Sequence, residues 1–84
     1  MPKRILYSRD AEKALKRMDE ATSKRIRSKI RLLAAEPSVL ANNIKAMKGS
    51  GGLMRLRIGD WRVIYRDEVI LDVIRIAARG SAYD

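Results

Sequence analysis

Leu53-Met54-Arg55-Leu56-Arg57-Ile58, Gly59-Asp60 and Trp61-Arg62-Val63-Ile64-Tyr65-Arg66 follow one another without interruption. Two alternating runs joined by two residues that include a glycine read as a β-hairpin. In that register Ile58 faces Trp61, Arg57 faces Arg62 and Arg55 faces Ile64. Strand side chains alternate, so Arg55, Arg57 and Arg62 share one face of the sheet. Met54, Leu56, Ile58, Trp61 and Val63 take the other face, which is the one suited to receive helices. Like charges directly across two strands are destabilising. The Arg57–Arg62 pair therefore calls for an internal carboxylate, such as Asp60 or Asp72, or for an external anion. The rigid guanidinium fork matches phosphate, which favours the anion.

Working outward toward the C-terminus, Asp67-Glu68 separates a further run, Val69 to Ala78, rich in Val and Ile. Strict alternation through this second hairpin puts Asp72 on the apolar face, so a bulge is expected there. Toward the N-terminus, Gly49-Ser50-Gly51-Gly52 reads as a flexible loop and Asn42-Asn43 as a turn. Between them Ile44-Lys45-Ala46-Met47-Lys48 alternates as a half-exposed strand does. Pro37 stops a helix whose apolar stripe is Ile26, Ile30, Leu33 and Ala34, capped by Asp19 or Thr22. A shorter helix carries Ala11, Ala14, Leu15 and Met18 behind a Ser8 N-cap, and Ile5-Leu6-Tyr7 forms a first strand. The order is β-α-α-β-β-β. The expected fold is α+β: a two-helix hairpin packed on a small, mainly antiparallel sheet, as one domain over residues 1–84.

Composition narrows the chemistry. The 84 residues are 46% hydrophobic and 35% charged, with 19 Lys and Arg against 10 Asp and Glu, a formal charge of +9. That balance is globular, and the excess charge points to a polyanionic partner. There is no Cys and no His, which argues against disulfides, zinc sites and Ser-His catalysis; no cofactor or metal is expected. No apolar run approaches a membrane span or a signal-peptide core, so a cytoplasmic address is expected. Lys24, Arg25, Arg27, Lys29 and Arg31 crowd one helix without an intervening acid, as a solvated face or as a phosphate-backbone footprint. After the last strand, Arg79 and Tyr83 are four apart, and one helical turn would bring them to the same side.

The order of elements, the segment Leu56-Arg57-Ile58-Gly59-Asp60-Trp61-Arg62-Val63-Ile64-Tyr65, the stretch Asn42-Asn43-Ile44-Lys45-Ala46-Met47-Lys48-Gly49 and the ending Arg79-Gly80-Ser81-Ala82-Tyr83 together resemble the RelE/ParE toxin superfamily. The resemblance covers nearly the whole chain and implies a type II toxin. In the RelE branch this would be a ribosome-dependent endoribonuclease that cuts mRNA in the A site. By position, Arg55, Arg62, Arg79 and Tyr83 match the catalytic set. Lys45, Lys48, Arg57, Lys24, Arg25 and Arg27 are candidates for RNA contact. The partners implied are a RelB-like acidic antitoxin, the ribosome and mRNA, with operator DNA reached only through the antitoxin and no membrane. Leu53 stands where some of these ribonucleases carry a second lysine, and Ala78 where many carry His or Lys. Arg55, Arg62, Arg79 and Tyr83 together favour the RelE branch, whereas those two departures favour the ParE branch, whose members poison DNA gyrase, or a degenerate member. A non-catalytic basic module that coats RNA or DNA is a further alternative.

Overall fold

The structure, a computed structural model, describes residues 2–80. Strand β1 (Arg4–Tyr7) leads into helix α1 (Arg9–Arg17) and helix α2 (Glu20–Ala35). A 3₁₀ helix (Pro37–Asn43) precedes β2 (Ile44–Ala46), β3 (Met54–Ile58), β4 (Trp61–Asp67) and β5 (Ile70–Ala78). The sheet order is β1-β5-β4-β3-β2, antiparallel throughout except for the parallel pair β1–β5. The expected α+β class holds, but the order β-α-α-β-β-β is one strand short. The strand it leaves uncounted is the half-exposed one expected within Ile44–Lys48: Ile44–Ala46 pairs with Met54–Leu56 at the edge of the sheet. Asn42-Asn43 is the end of the 3₁₀ helix rather than a free turn, because Leu40 is buried and pins that segment to the core.

Local chemistry sets the helix boundaries. The Ser8 hydroxyl accepts from the Ala11 amide at 3.0 Å and donates to the Ile74 carbonyl at 2.5 Å, so a single side chain caps α1 and ties it to β5. Asp10 and Glu12 lie in the first turn of α1 and Lys16 and Arg17 in the last, as the helix dipole favours. Of the two cap candidates for α2, Asp19 fills the role, accepting from the Thr22 amide at 3.1 Å and the Thr22 hydroxyl at 2.6 Å. Only Met18 and Asp19 separate the helices, which gives the hairpin. α2 stops at Ala35, with Glu36 as its C-cap just before Pro37, as expected.

Both helices lie on one face of the sheet. Leu15, Ile26, Ile30, Leu56, Val63, Leu71 and Val73 form the fully buried centre of that layer. Burying side chains of this size contributes roughly 1.5–3 kcal/mol each, so this layer dominates stability. The helix-facing set Leu56, Ile58, Val63 and Trp61 is the one alternation assigns, with Trp61 and Met54 only partly buried.

Among the described residues, no helix covers the opposite face of the sheet. A small second cluster, Ile64 and Ala77 with Met47 and Leu53 packed on it, occupies its middle. The segment joining β2 to β3 folds back over this cluster. It is held by Met47 N–H to the Leu53 carbonyl (3.0 Å), the Ser50 hydroxyl to the Met47 carbonyl (2.5 Å) and Leu53 N–H to the Ser50 hydroxyl (3.1 Å). The expected flexible loop is thus a hydrogen-bonded turn.

The expected bulge is present. Ile64 pairs with Arg75 while Tyr65 pairs with Val73, leaving Ile74 as an extra residue in β5. It lets Val73 and Ile76 both face the core although they are three apart. It also moves Asp72 off the apolar face to a position opposite Arg66.

Candidate functional site

Position on the ladders determines which cations meet. On the helix-free face, Lys45 pairs with Arg55, Arg55 with Ile64, and Ile64 with Arg75, a continuous row across four strands. The next row runs Arg57, Arg62, Ala77. Ile64, 3% exposed, has Arg55 and Arg75 as its cross-strand partners, about 5 Å away at Cβ, and Arg62 and Arg66 two residues to either side on its own strand. The three arginines assigned to one face by alternation are together. Arg75 and Arg66 join them and were not singled out in the sequence. Arg75 was legible by counting along β5, but its place beside Ile64 depends on the bulge.

Arg62 is the anchored member. Only 9% exposed, it donates from Nη1 to the Gly59 and Trp61 carbonyls, both at 3.1 Å. These carbonyl dipoles help carry a guanidinium that faces Arg57 and is otherwise costly to bury. The same bonds hold it in one orientation. Gly59 has φ +58° and Asp60 a negative φ, the pattern of a II′ turn with glycine first. Arg79, one residue past β5, donates its backbone N–H to the Asp60 carbonyl at 2.6 Å. Arg62 and Arg79 are therefore placed at the same end of the sheet by the same turn.

Lys48 and Arg55 border a groove of about 640 Å³ floored by Met47 and Leu53. Lys45, Lys48, Arg55, Arg57 and Arg62 thus belong to a single surface. Lys24, Arg25 and Arg27 do not, because α2 lies behind the sheet. Lys24 pairs with Glu20 at 3.2 Å along the helix. Arg25 reaches the turn from behind, its guanidinium 3.5–3.8 Å from where a Cβ on Gly59 would be. Arg27 stacks over the Tyr7 ring at 5.5 Å from its centroid, a cation–π contact.

The two tyrosines of the described residues sit on the helix side. Burial pushes the Tyr65 phenol up to about 12, with the nearby Asp67 carboxylate adding to the shift. Burial also raises Tyr7, opposed by Arg27 and Arg31. Neither phenol lies on the sheet face that carries Arg55, Arg57 and Arg62, and both are harder to ionise than a free tyrosine. The remaining candidate, Tyr83, lies outside the described residues. Among the described residues, no group of three or more carboxylates is placed to hold a metal ion, and no helix is long and apolar enough to cross a membrane.

A family model described as the ParE toxin of the type II toxin–antitoxin system, parDE, matches residues 5–83. Among solved structures, the chain is similar to the archaeal RelE–RelB complex from Pyrococcus horikoshii OT3, at 27% identity and a TM-score of 0.79, covering 98% of this chain and 100% of that one. It is also similar to the RelB–RelE antitoxin–toxin complex from Methanococcus jannaschii (24% identity, TM-score 0.73, 90% and 92% covered). A third match is the isolated E. coli RelE toxin (13% identity, TM-score 0.75, 95% and 87% covered). The last two likenesses concern the fold alone. No curated protein matches the sequence.

Proposed function

Because the chain belongs to the ParE toxin family of type II toxin–antitoxin systems, within the RelE/ParE superfamily, we propose that its arginine face is the working surface of a ribosome-dependent endoribonuclease cutting mRNA in the A site. The observation that carries this reading is the ring of arginines around Ile64, with Arg62 held rigid by the carbonyls of Gly59 and Trp61.

Cleavage without metal requires the 2′-oxygen to lose its proton and attack phosphorus while the 5′-oxygen departs, leaving a 2′,3′-cyclic phosphate. Arg62, already oriented, binds the scissile phosphate and the charge that builds on it, with Arg79 beside it. Arg55 offsets charge on the leaving oxygen, which takes its proton from water, since a guanidinium does not release one at neutral pH. Tyr83 takes the 2′-proton or orients a base by stacking. A phenol near pH 10 is a weak base at neutrality, so adjacent cations must lower it and the ribosome must supply positioning. Lys45, Lys48 and Arg57 contact the RNA backbone, and the α2 cations Lys24, Arg25 and Arg27 extend contact to ribosomal RNA. A RelB-like acidic antitoxin neutralises the same cationic face, and the site of action is the cytoplasm.

A second reading, gyrase poisoning, is favoured by the ParE description of the matching family and by Leu53 and Ala78. Primer extension on a defined mRNA in a translating extract, run beside a gyrase supercoiling assay, separates the two. A-site cuts that vanish with Arg62→Ala and only weaken with Arg62→Lys support the ribonuclease. Gyrase inhibition without cuts supports the poison. If neither occurs and only salt-sensitive binding is found, the chain is a basic binding module.

A further inference from the structure

On the helix-free face, the cationic row does not surround a polar surface. Met47 and Leu53 pack against the buried pair Ile64 and Ala77 and form an apolar floor. They also line the groove of about 640 Å³ bordered by Lys48, Ser50 and Arg55. That volume falls within the roughly 300–1,000 Å³ of small-molecule sites. Lys45 lies opposite Arg55 at the β2 side of the groove. Three hydrogen bonds among Met47, Ser50 and Leu53 keep the wall in place, so the shape exists before any ligand arrives.

A ligand that fits must place a flat apolar group and an anion within one residue's length of each other. A nucleotide of single-stranded RNA does this in a single repeating unit: its base has an apolar face and its phosphate a full charge. An acidic peptide must draw the same two features from different side chains. We propose that this groove is a nucleobase subsite, in which one unpaired base lies against Met47 and Leu53 while its phosphate meets Arg55 and Lys48. The inference rests on the ribonuclease reading and deepens it by assigning the nucleotide next to the scissile phosphate a base-contacting wall. Apolar side chains serve this purpose in other base-binding pockets, and every base offers a π-face, so the subsite selects for an unstacked base over a paired one.

The test is binding, which does not depend on cleavage. Anisotropy titrations use a 2′-O-methyl RNA hexamer and the same hexamer with one internal abasic residue, on the intact protein. The base should be worth about five-fold or more in affinity, the low end for base contacts. Leu53→Lys should abolish that preference while steepening the salt dependence by about 0.7 in log–log slope, since it adds a phosphate contact and removes the wall. Met47→Ser, a milder change, should reduce the preference with the slope unchanged, and circular dichroism verifies that both variants fold. Equal affinity of the wild type for the two hexamers overturns the subsite, as does a base preference that survives both variants. An acidic amphipathic peptide that binds this groove while the hexamer does not overturns it too. Cleavage in the translating extract reports separately: cuts with base-independent binding leave the nuclease without this subsite, and base-dependent binding without cuts leaves the subsite without the nuclease.

Discussion

Arg57 and Arg62 stand directly opposite each other in the β3–β4 ladder, one exposed and the other almost wholly buried. The buried member bonds to the carbonyls of its own turn. The exposed one reaches into solvent and adds repulsion. Arg57→Gln is expected to stabilise the protein by about 0.2–1 kcal/mol at low salt, with the gain shrinking as salt screens the pair. Urea unfolding at two ionic strengths measures this. The same substitution should weaken RNA binding, so stability and affinity move in opposite directions.

Arg75 reaches the arginine face through the bulge in β5. Arg75→Gln should therefore lower affinity for a short single-stranded RNA much as Arg55→Gln does, each reducing the log–log salt slope by about 0.7. Arg27→Gln, on the helix side and stacked on Tyr7, should leave that slope unchanged. A salt series on the three variants decides it.

Gly59→Ala tests the turn that orients Arg62. The Cβ would meet the Arg25 guanidinium at 3.5 Å, an ordinary contact. The cost comes from the positive φ of +58° at the glycine position of the II′ turn and should be about 1–3 kcal/mol. Thermal unfolding should show the loss. Cleavage, if the ribonuclease reading holds, should fall further than stability alone explains, because the carbonyl that holds Arg62 moves.

Ser8→Ala removes one hydroxyl with two partners, the Ala11 amide and the Ile74 carbonyl. A lost N-cap costs about 1 kcal/mol, and an unpaired part-buried carbonyl adds to it. A loss of about 1–3 kcal/mol is expected in chemical denaturation. Hydrogen exchange should increase first in α1 and in the β5 residues nearest the bulge.

Tyr65 makes stability depend on alkaline pH. Its folded pKa lies near 12, above the ordinary 10.0, so the fold favours the protonated phenol. The contribution is complete below pH 10 and is lost as pH rises through about 12. Tyr7 shifts in the same direction. Unfolding measured from pH 9 to 12 should show declining stability in the wild type and a shallower decline in Tyr65→Phe.

Much of the fold was legible because it depends on local periodicity. The alternation in Leu53–Arg66 yielded the hairpin, its register and its two faces, and Ser8, Asp19 and Pro37 marked helix ends through chemistry confined to a few residues. The candidate site was legible to the extent that it lies on one hairpin: Arg55, Arg57 and Arg62 needed only strand geometry. The parallel pairing of β1 with β5 and the placement of Arg75 were decided only by the tertiary structure. β1 and β5 are far apart in the chain, where no local pattern records a pairing, and Arg75 owes its place to a bulge whose position strict alternation does not fix. The division of the cations follows the same rule. α2 and the hairpin strands are both basic in sequence, yet the apolar stripe of α2 commits it to one side of the sheet and leaves the arginine row on the other.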